Sequence, residues 1–239
     1  VPVINYAREH GLHTVYFPYD TTRARFEDLE HLIEGIMQDA PPDSIGIVDT
    51  MGCALPAAIK YLVRHVKAKT GLPVEIHTHN DFGMALATEL AALEAGASVV
   101  HGAANGLGER TGNTATEELV MALKVLYQLP NPYRLDRLLD LAIKVEAITG
   151  ISPASNKPVI GTRNFTRESG IGVDLVVKEP LAMFATEPKL TGRTGDVVLG
   201  KKSGKLSVLY HLEKQGQTNV SDESVEEIVR RVKKAGIAK

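Results

Sequence analysis

From residue 12 to about 127 the chain alternates short, β-branched apolar runs with longer stretches whose apolar positions recur every three or four residues. The runs "HTVYFPY" (13–19), "SIGIVD" (44–49), "LPVEIHTH" (72–79) and "ASVVHGAA" (97–104) predict strands. The stretches at 26–38, 54–69, 83–95 and 114–127 predict amphipathic helices, with Gly71 and Gly96 where helix stops are expected. Strands spaced by helices predict an α/β fold: a parallel sheet with right-handed crossovers, either open and doubly wound or a (β/α) barrel. A complete eight-unit barrel takes about 250 residues. The four units here occupy about half that, so the count fits half a barrel. Ahead of the first unit, "VPVINYAREHGL" predicts an amphipathic helix ending at Gly11, as though the chain began inside a larger unit.

Beyond residue 127 the texture changes. "QLPNPY" (128–133) predicts a linker and "RLDRLLDLAIKVEAITG" (134–150) a further helix. Residues 151–205, rich in Gly, Pro, Ser and Thr, predict a loop-rich linker subdomain, and 206–239 a small α-rich terminal one. Within the latter, "SDESVEEIVRRVKKAG" (221–236) carries Ser221 as N-cap, acids in its first turn, bases in its last and Gly236 as stop. The expected divisions are therefore 1–127, 128–150, 151–205 and 206–239.

Composition narrows the function classes. A chain of 239 residues, 44% hydrophobic, can bury a sizeable core. A net charge of −2 with mixed signs argues against nucleic acid or an anionic membrane as main partner. Charges interrupt every long apolar stretch, so no bilayer span is expected. The one cysteine, Cys53, allows no intramolecular disulfide and fits a reducing cytoplasm. No secretory or transit signal opens the sequence.

In parallel α/β folds, polar residues at strand C-termini line the site, because the following loops converge there. Each predicted strand ends in such residues: "YDTTR" (19–23), "DTMG" (49–52), "HTHND" (77–81) and "NGLGERTGN" (105–113). Any one of these could be turn chemistry; four at one rim point to a site. His77 and His79 share one strand face and can reach a single divalent ion, although spacing alone fits a hydrogen-bonded pair equally well. Glu109 and Asn113 offer oxygen donors nearby.

The segments "DTMGCALP", "HTHNDFGMALATELAALEAGA", "NGLGERTGNTATEELVMAL", "NKPVIGTRNFTRESGI" and "LGKKSGK" follow in order along nearly the whole chain. Together they resemble the metal-dependent Claisen-condensing family of isopropylmalate, homocitrate and citramalate synthases, with 3-hydroxy-3-methylglutaryl-CoA lyase a more distant relative. The resemblance implies a (β/α)8 TIM barrel whose second half is residues 12–127, and a divalent metal (Zn, Mn or Mg). It implies His77 and His79 as metal ligands, Asn113 as a weaker or outer ligand, and Glu109 ordering its loop. Arg23, with Thr50, would grip the carboxylate of a 2-oxo acid, and acetyl-CoA would be the co-substrate.

Two departures stand out. The family's opening D-R-E-type strand, which supplies a carboxylate ligand and a catalytic arginine, has no counterpart here. The resemblance therefore implies a missing segment or a separate N-terminal barrel half, and a homo-oligomer is expected. Secondly, where the synthases read F-x-H-E-S-G-I-H, this chain has "FTRESGIG" (165–172), with Arg167 and Gly172 at the histidine positions. The expected tyrosine is also lacking, since "EPLAMFA" offers Met183 and Phe184. Candidates for a catalytic role are then His101 and Glu109, with Arg167 for a carboxylate or a CoA phosphate. His211 reads as surface or packing, and Cys53 as a small turn residue. The synthase reading, with a mild preference for 2-oxoglutarate, stands against two rivals: a carbon–carbon lyase and a non-catalytic regulatory or structural subunit.

Overall fold

The alternation of strand and helix is realised unit by unit in the computed structural model, which describes residues 1–130 and 132–237. Asn131, in the expected linker, and the last two residues of the expected terminal subdomain lie outside the described residues. The first part runs α1 (Pro2–Glu9), β1 (Val15–Tyr16), α2 (Phe26–Asp39), β2 (Ser44–Asp49), α3 (Pro56–Thr70), β3 (Val74–Thr78), α4 (Ala85–Glu94), β4 (Val99–Val100) and α5 (Thr116–Val125). Its strands pair in parallel in the order β1-β2-β3-β4.

Register divides the sheet into two chemically distinct faces. Gly46 lies opposite Glu75 and Val48 opposite His77, so these share one face, while Ile45, Ile47, Val74 and Ile76 take the other. The second set is buried beneath Leu29 and Ile33 of α2, Ile59, Val63 and Val66 of α3, and Ala92 of α4. Each buried Leu, Ile or Val side chain among them contributes about 1.5–3 kcal/mol by leaving water. This packing fixes which face is left to the polar ladder of Ser44, Glu75, His77 and His101. Across that face lies the Phe17 ring, 2.0 Å from where a Cβ on Gly46 would stand.

Element ends follow local chemistry. Pro56 sits in the first turn of α3, and the preceding Leu55 is extended (φ −76°, ψ 148°), which starts the helix two residues later than the apolar pattern predicts. Gly71 closes it in the left-handed region (φ 69°), donating its N–H to Lys67 O at 2.9 Å. The start of α4 is set by Asn80, whose Oδ1 accepts the Ala85 N–H at 3.1 Å. β1 and β4 pair over two residues each rather than the seven and eight expected, since each has one paired neighbour among the described strands.

Two compact units are distinguished, Val1–Leu123 and Lys124 onward. In the second, a turn at Leu135–Arg137 leads into α6 (Leu138–Thr149), closed by Gly150 at φ 73°. The stretch expected to be loop-rich contains a two-stranded parallel sheet of β5 (Thr166–Arg167) and β6 (Asp196–Val197), and between them α7 (Val173–Lys178). Val173, Val176 and Val197 form its core, with Met183, Phe184 and Tyr210 packed around. α8 (Lys205–Lys214) and α9 (Asp222–Ile237) follow. Ser221 caps α9 by accepting the Ser224 N–H at 3.3 Å. Gly236 is not the stop that the sequence suggests: it lies inside α9, where a Cβ would come within 2.7 Å of Lys201 N. The glycine lets the helix approach that backbone. No helix among the described residues is long and apolar enough to cross a membrane.

Candidate functional site

The end of β3 carries the histidines. His77 is half-buried and His79 is 9% exposed, with ring centroids 5.2 Å apart, edge to face. The His101 ring lies 5.5 Å from that of His77. Burial, and secondarily the neighbouring His101 and His79, push the His77 pKa below its ordinary value, which favours the neutral imidazole that ligates metals. Nδ1 of His79 is buried without a hydrogen-bond partner. Such an orphaned nitrogen costs about 1–3 kcal/mol, a cost that a cation at that atom would remove.

Asn113 is brought to the same place. Its backbone bridges that of His79, its Nδ2 donates to Thr78 O at 3.2 Å, and the same nitrogen lies 3.4 Å from His77 Nε2. A half-turn of the amide would present Oδ1 instead, the atom a divalent cation takes. The amide has room because Gly108 has no side chain: a Cβ there would fall 1.9 Å from Asn113 Oδ1. Among the described residues no group of three or more His, Cys, Asp or Glu side chains could hold a metal. The donors this chain offers are thus two imidazoles and one amide, which fit a divalent ion that keeps positions open for other ligands.

The neighbouring loops complete the rim. Asp49, at the end of β2, accepts the Thr22 hydroxyl at 2.8 Å and the backbone N–H groups of Cys53 and Ala54 at 3.2 and 3.1 Å. Thr50 Oγ1 accepts the Asp20 N–H at 2.9 Å. Arg23 is already engaged: its guanidinium forks onto the Asp20 carboxylate at 2.6–3.0 Å. Glu109 does not order its loop. Its side chain is 85% exposed and comes within 3.9 Å of Arg110. Arg110, which the sequence reading passed over, makes the contacts to the neighbouring turns instead: it forks onto Asp81 at 2.9 and 3.0 Å and also donates to Thr50 O. The fork holds the Asp81 carboxyl below its usual range. The signal available in the sequence was the charge pair between "HND" and "GER".

Two buried carboxyl groups, Glu75 on β3 and Glu89 on α4, were also missed. Glu75, one period before His77, accepts the Ser44 hydroxyl at 2.6 Å and pairs with His101 Nε2 at 3.2 Å. On the opposite face Thr78 contacts Glu89 Oε1 at 3.0 Å and Thr114 Oγ1 at 2.9 Å. Glu89 is fully buried, and burial raises its pKa to about 8 against the opposing hydroxyl hydrogen bonds.

The remaining candidates, Cys53 apart, belong to the second unit. Arg167 lies on β5 and its Nε donates to Ile171 O at 3.0 Å. Gly172 caps α7 at φ 74°, and a Cβ there would meet Met183 Sδ at 2.9 Å. The departure from histidine at this position is thus built into the backbone. Phe184 packs edge-on against Phe165, 5.5 Å between ring centroids. His211 is a packing residue, bonded to Val197 O at 2.7 Å. Cys53 stands in the first unit as a half-buried turn residue.

A parallel sheet flanked by helices, with histidines and an amide at its C-terminal rim, defines a protein of the (β/α) TIM-barrel class, of which this chain holds part. The crystal structure of the Bacillus subtilis HMG-CoA lyase shares that fold with a TM-score of 0.56 at 26% identity, covering 65% of this chain and 56% of that one. Residues 1–145 match the HMGL-like family model, and the chain belongs to the HMGL-like family. Residues 159–239 match the homocitrate synthase post-HMGL domain-like model. A homocitrate synthase (AksA) of Methanopyrus kandleri is 39% identical over 98% of this chain and 58% of its own length. A probable 2-isopropylmalate synthase of Ignicoccus hospitalis is 39% identical over 90% of this chain and 54% of its own. A putative (R)-citramalate synthase (CimA) of Archaeoglobus fulgidus is 37% identical over 99% and 48%. The chain thus spans about half the length of the relatives it matches.

Proposed function

We propose that this chain contributes to an acyltransferase that joins acetyl-CoA to a 2-oxo acid, water then releasing CoA. The observation that carries the reading is the convergence of His77, His79 and Asn113 at the sheet's C-terminal rim, in a chain whose relatives bear synthase names. A divalent ion (Zn, Mn or Mg) bound there would polarise the oxo acid's carbonyl as a Lewis acid. Two neutral imidazoles and the turned amide of Asn113 would hold it. Arg23 and Thr50 take the substrate carboxylate, with Arg23 exchanging one carboxylate, Asp20, for another. His101, steadied through Nε2 by Glu75, keeps Nδ1 to accept a methyl proton from acetyl-CoA. The methyl carbon bonds to the keto carbon, the former carbonyl oxygen is protonated, and hydrolysis of the thioester yields CoA and a second carboxylate. Glu109, exposed on its loop, receives no chemical step, and Arg167 is assigned to a carboxylate or a CoA phosphate. β1 and β4 each leave one edge unpaired among the described strands. The reading therefore includes further βα units that close the sheet, on a longer or a separate chain. A homo-oligomer and a cytoplasmic setting also belong to this proposal.

A second reading, carbon–carbon cleavage of a hydroxyacyl-CoA, is favoured by Gly172, which cannot move a proton. Product analysis separates the two. With acetyl-CoA and a panel of 2-oxo acids including 2-oxoglutarate, the first reading expects metal-dependent free CoA and a new hydroxy diacid or triacid. Acetyl-CoA appearing from a 3-hydroxyacyl-CoA, with no CoA released in the other direction, would overturn it.

A further inference from the structure

Arg110 adopts φ 56°, a backbone region that costs a side-chain-bearing residue about 1 kcal/mol or more. From that position its guanidinium reaches out of its own loop to the turns after β2 and β3, by a fork onto Asp81 and a donation to Thr50 O. The three turns also meet through their backbones. Asn80 donates to Gly112 O at 3.0 Å, Phe82 donates to Gly52 O at 3.3 Å, and His79 donates to Asp49 O at 3.1 Å. Gly52 makes the approach possible: a Cβ there would overlap Asp81 N at 2.6 Å and His79 O at 2.7 Å. The residues tied in this way flank both His79 and Asn113. Without the fork, the 105–113 loop would keep its backbone bonds and the Thr111 side-chain hydrogen bond to Asp81, but would lose its ion pair to the turn that follows the histidines.

We propose that Arg110 is a positioning residue: with Asp81 it clamps the 105–113 loop to the rim and so holds Asn113 in register with His77 and His79. The inference rests on the metal-site reading above, and its function is to fix the third donor before any ion arrives. Residues that orient metal ligands typically change metal affinity by about 10- to 100-fold when removed.

Two readouts on the full protein test it, and they fail separately. The first is amide hydrogen exchange in the chelator-treated state. Arg110→Ala and Asp81→Asn should each speed exchange at Asn80 and Asn113 while leaving Ile47 and Ile76 in the sheet unchanged. Unaltered exchange at Asn80 and Asn113 overturns the clamp whatever the metal does. The second is the Kd for Zn2+ and Mn2+ by competition with a chromophoric chelator. It should rise about 10-fold or more in Arg110→Ala and in Asp81→Asn, and less in Arg110→Lys, which keeps the charge but not the fork. The double variant Arg110→Ala/Asp81→Asn should be no worse than either single one. Equal affinity in wild type and single variants, or additive losses in the double, overturns the role in positioning Asn113. If wild type and His79→Ala bind alike, the metal-site reading itself falls, and with it this consequence of the clamp. Should Arg110→Ala fail to fold, Asp81→Asn and Arg110→Lys carry the same comparisons.

Discussion

Glu89 is wholly buried, with one carboxyl oxygen against Thr78 and the other without a partner. A charge in that place would cost several kcal/mol, so the proton stays on, and the pKa rises from 4.5 to about 8. The sign of the consequence is set by which state holds the proton. Below pH 4.5 both states hold it. Between 4.5 and about 8 the unfolded chain releases it and the folded chain does not, so stability falls as pH rises, by up to about 1.4 kcal/mol per pH unit, and levels off above about 8. Glu89→Gln keeps the shape without the proton. Denaturation midpoints from pH 5 to 9 should therefore drop more steeply in the wild type than in the variant, and parallel profiles would contradict this account. Gly172 tests a different constraint. Placing the family's histidine there meets both φ 74° and the Met183 side chain. Gly172→His should lose about 1–2 kcal/mol in chemical denaturation, and an unchanged midpoint would mean that the turn relaxes freely. Glu89 was illegible in the sequence because it owes its role to Thr78 on another element, and Arg110 was marked there by nothing more than opposite charges in "HND" and "GER".

At the scale of elements, period and punctuation carried most of the information. β2 was legible to the residue, since its Ile45, Ile47 and Val48 form a short β-branched run between polar turns, as a strand buried on both faces does. The outer strands were overread: "HTVYFPY" and "ASVVHGAA" have strand composition, but ladder bonds form only where a neighbour stands. Helix starts were misplaced by two residues where Pro56 and Asn80 decide them, and α9 ran through Gly236 because the approach to Lys201, not termination, uses that glycine. Two glycines separate conformational from steric demands. At Gly71 an added Cβ meets nothing within 4 Å, so Gly71→Ala should cost about 1 kcal/mol through φ alone. At Gly46 the Phe17 ring fills the space, so Gly46→Ala should cost about 1–3 kcal/mol and displace that ring. Urea midpoints rank the two; Gly71→Ala proving the costlier would refute the assignment of Phe17 to that face.

For the whole molecule, the sheet turns one face to the helices and leaves the other, with its C-terminal rim, to polar chemistry. That division was readable from the alternation "VEIHTH", in which Val74, Ile76 and Thr78 point one way and Glu75, His77 and His79 the other. The pairing of Arg23 was not, because its guanidinium forks onto Asp20 within its own turn. A ligand bound by the folded state alone stabilises it, by about 2.7 kcal/mol at a hundredfold excess over Kd. A chelator should accordingly lower the melting temperature of the metal-loaded protein, and re-added Zn2+ or Mn2+ should restore it; indifference to the chelator contradicts a resident ion. The most direct measurement is X-ray absorption on the zinc-loaded full protein, wild type and His77→Ala. The account predicts two imidazole nitrogens at about 2.0–2.1 Å, falling to one in the variant, with the remaining scatterers oxygen. A first shell without imidazole, or one unchanged by His77→Ala, would contradict it.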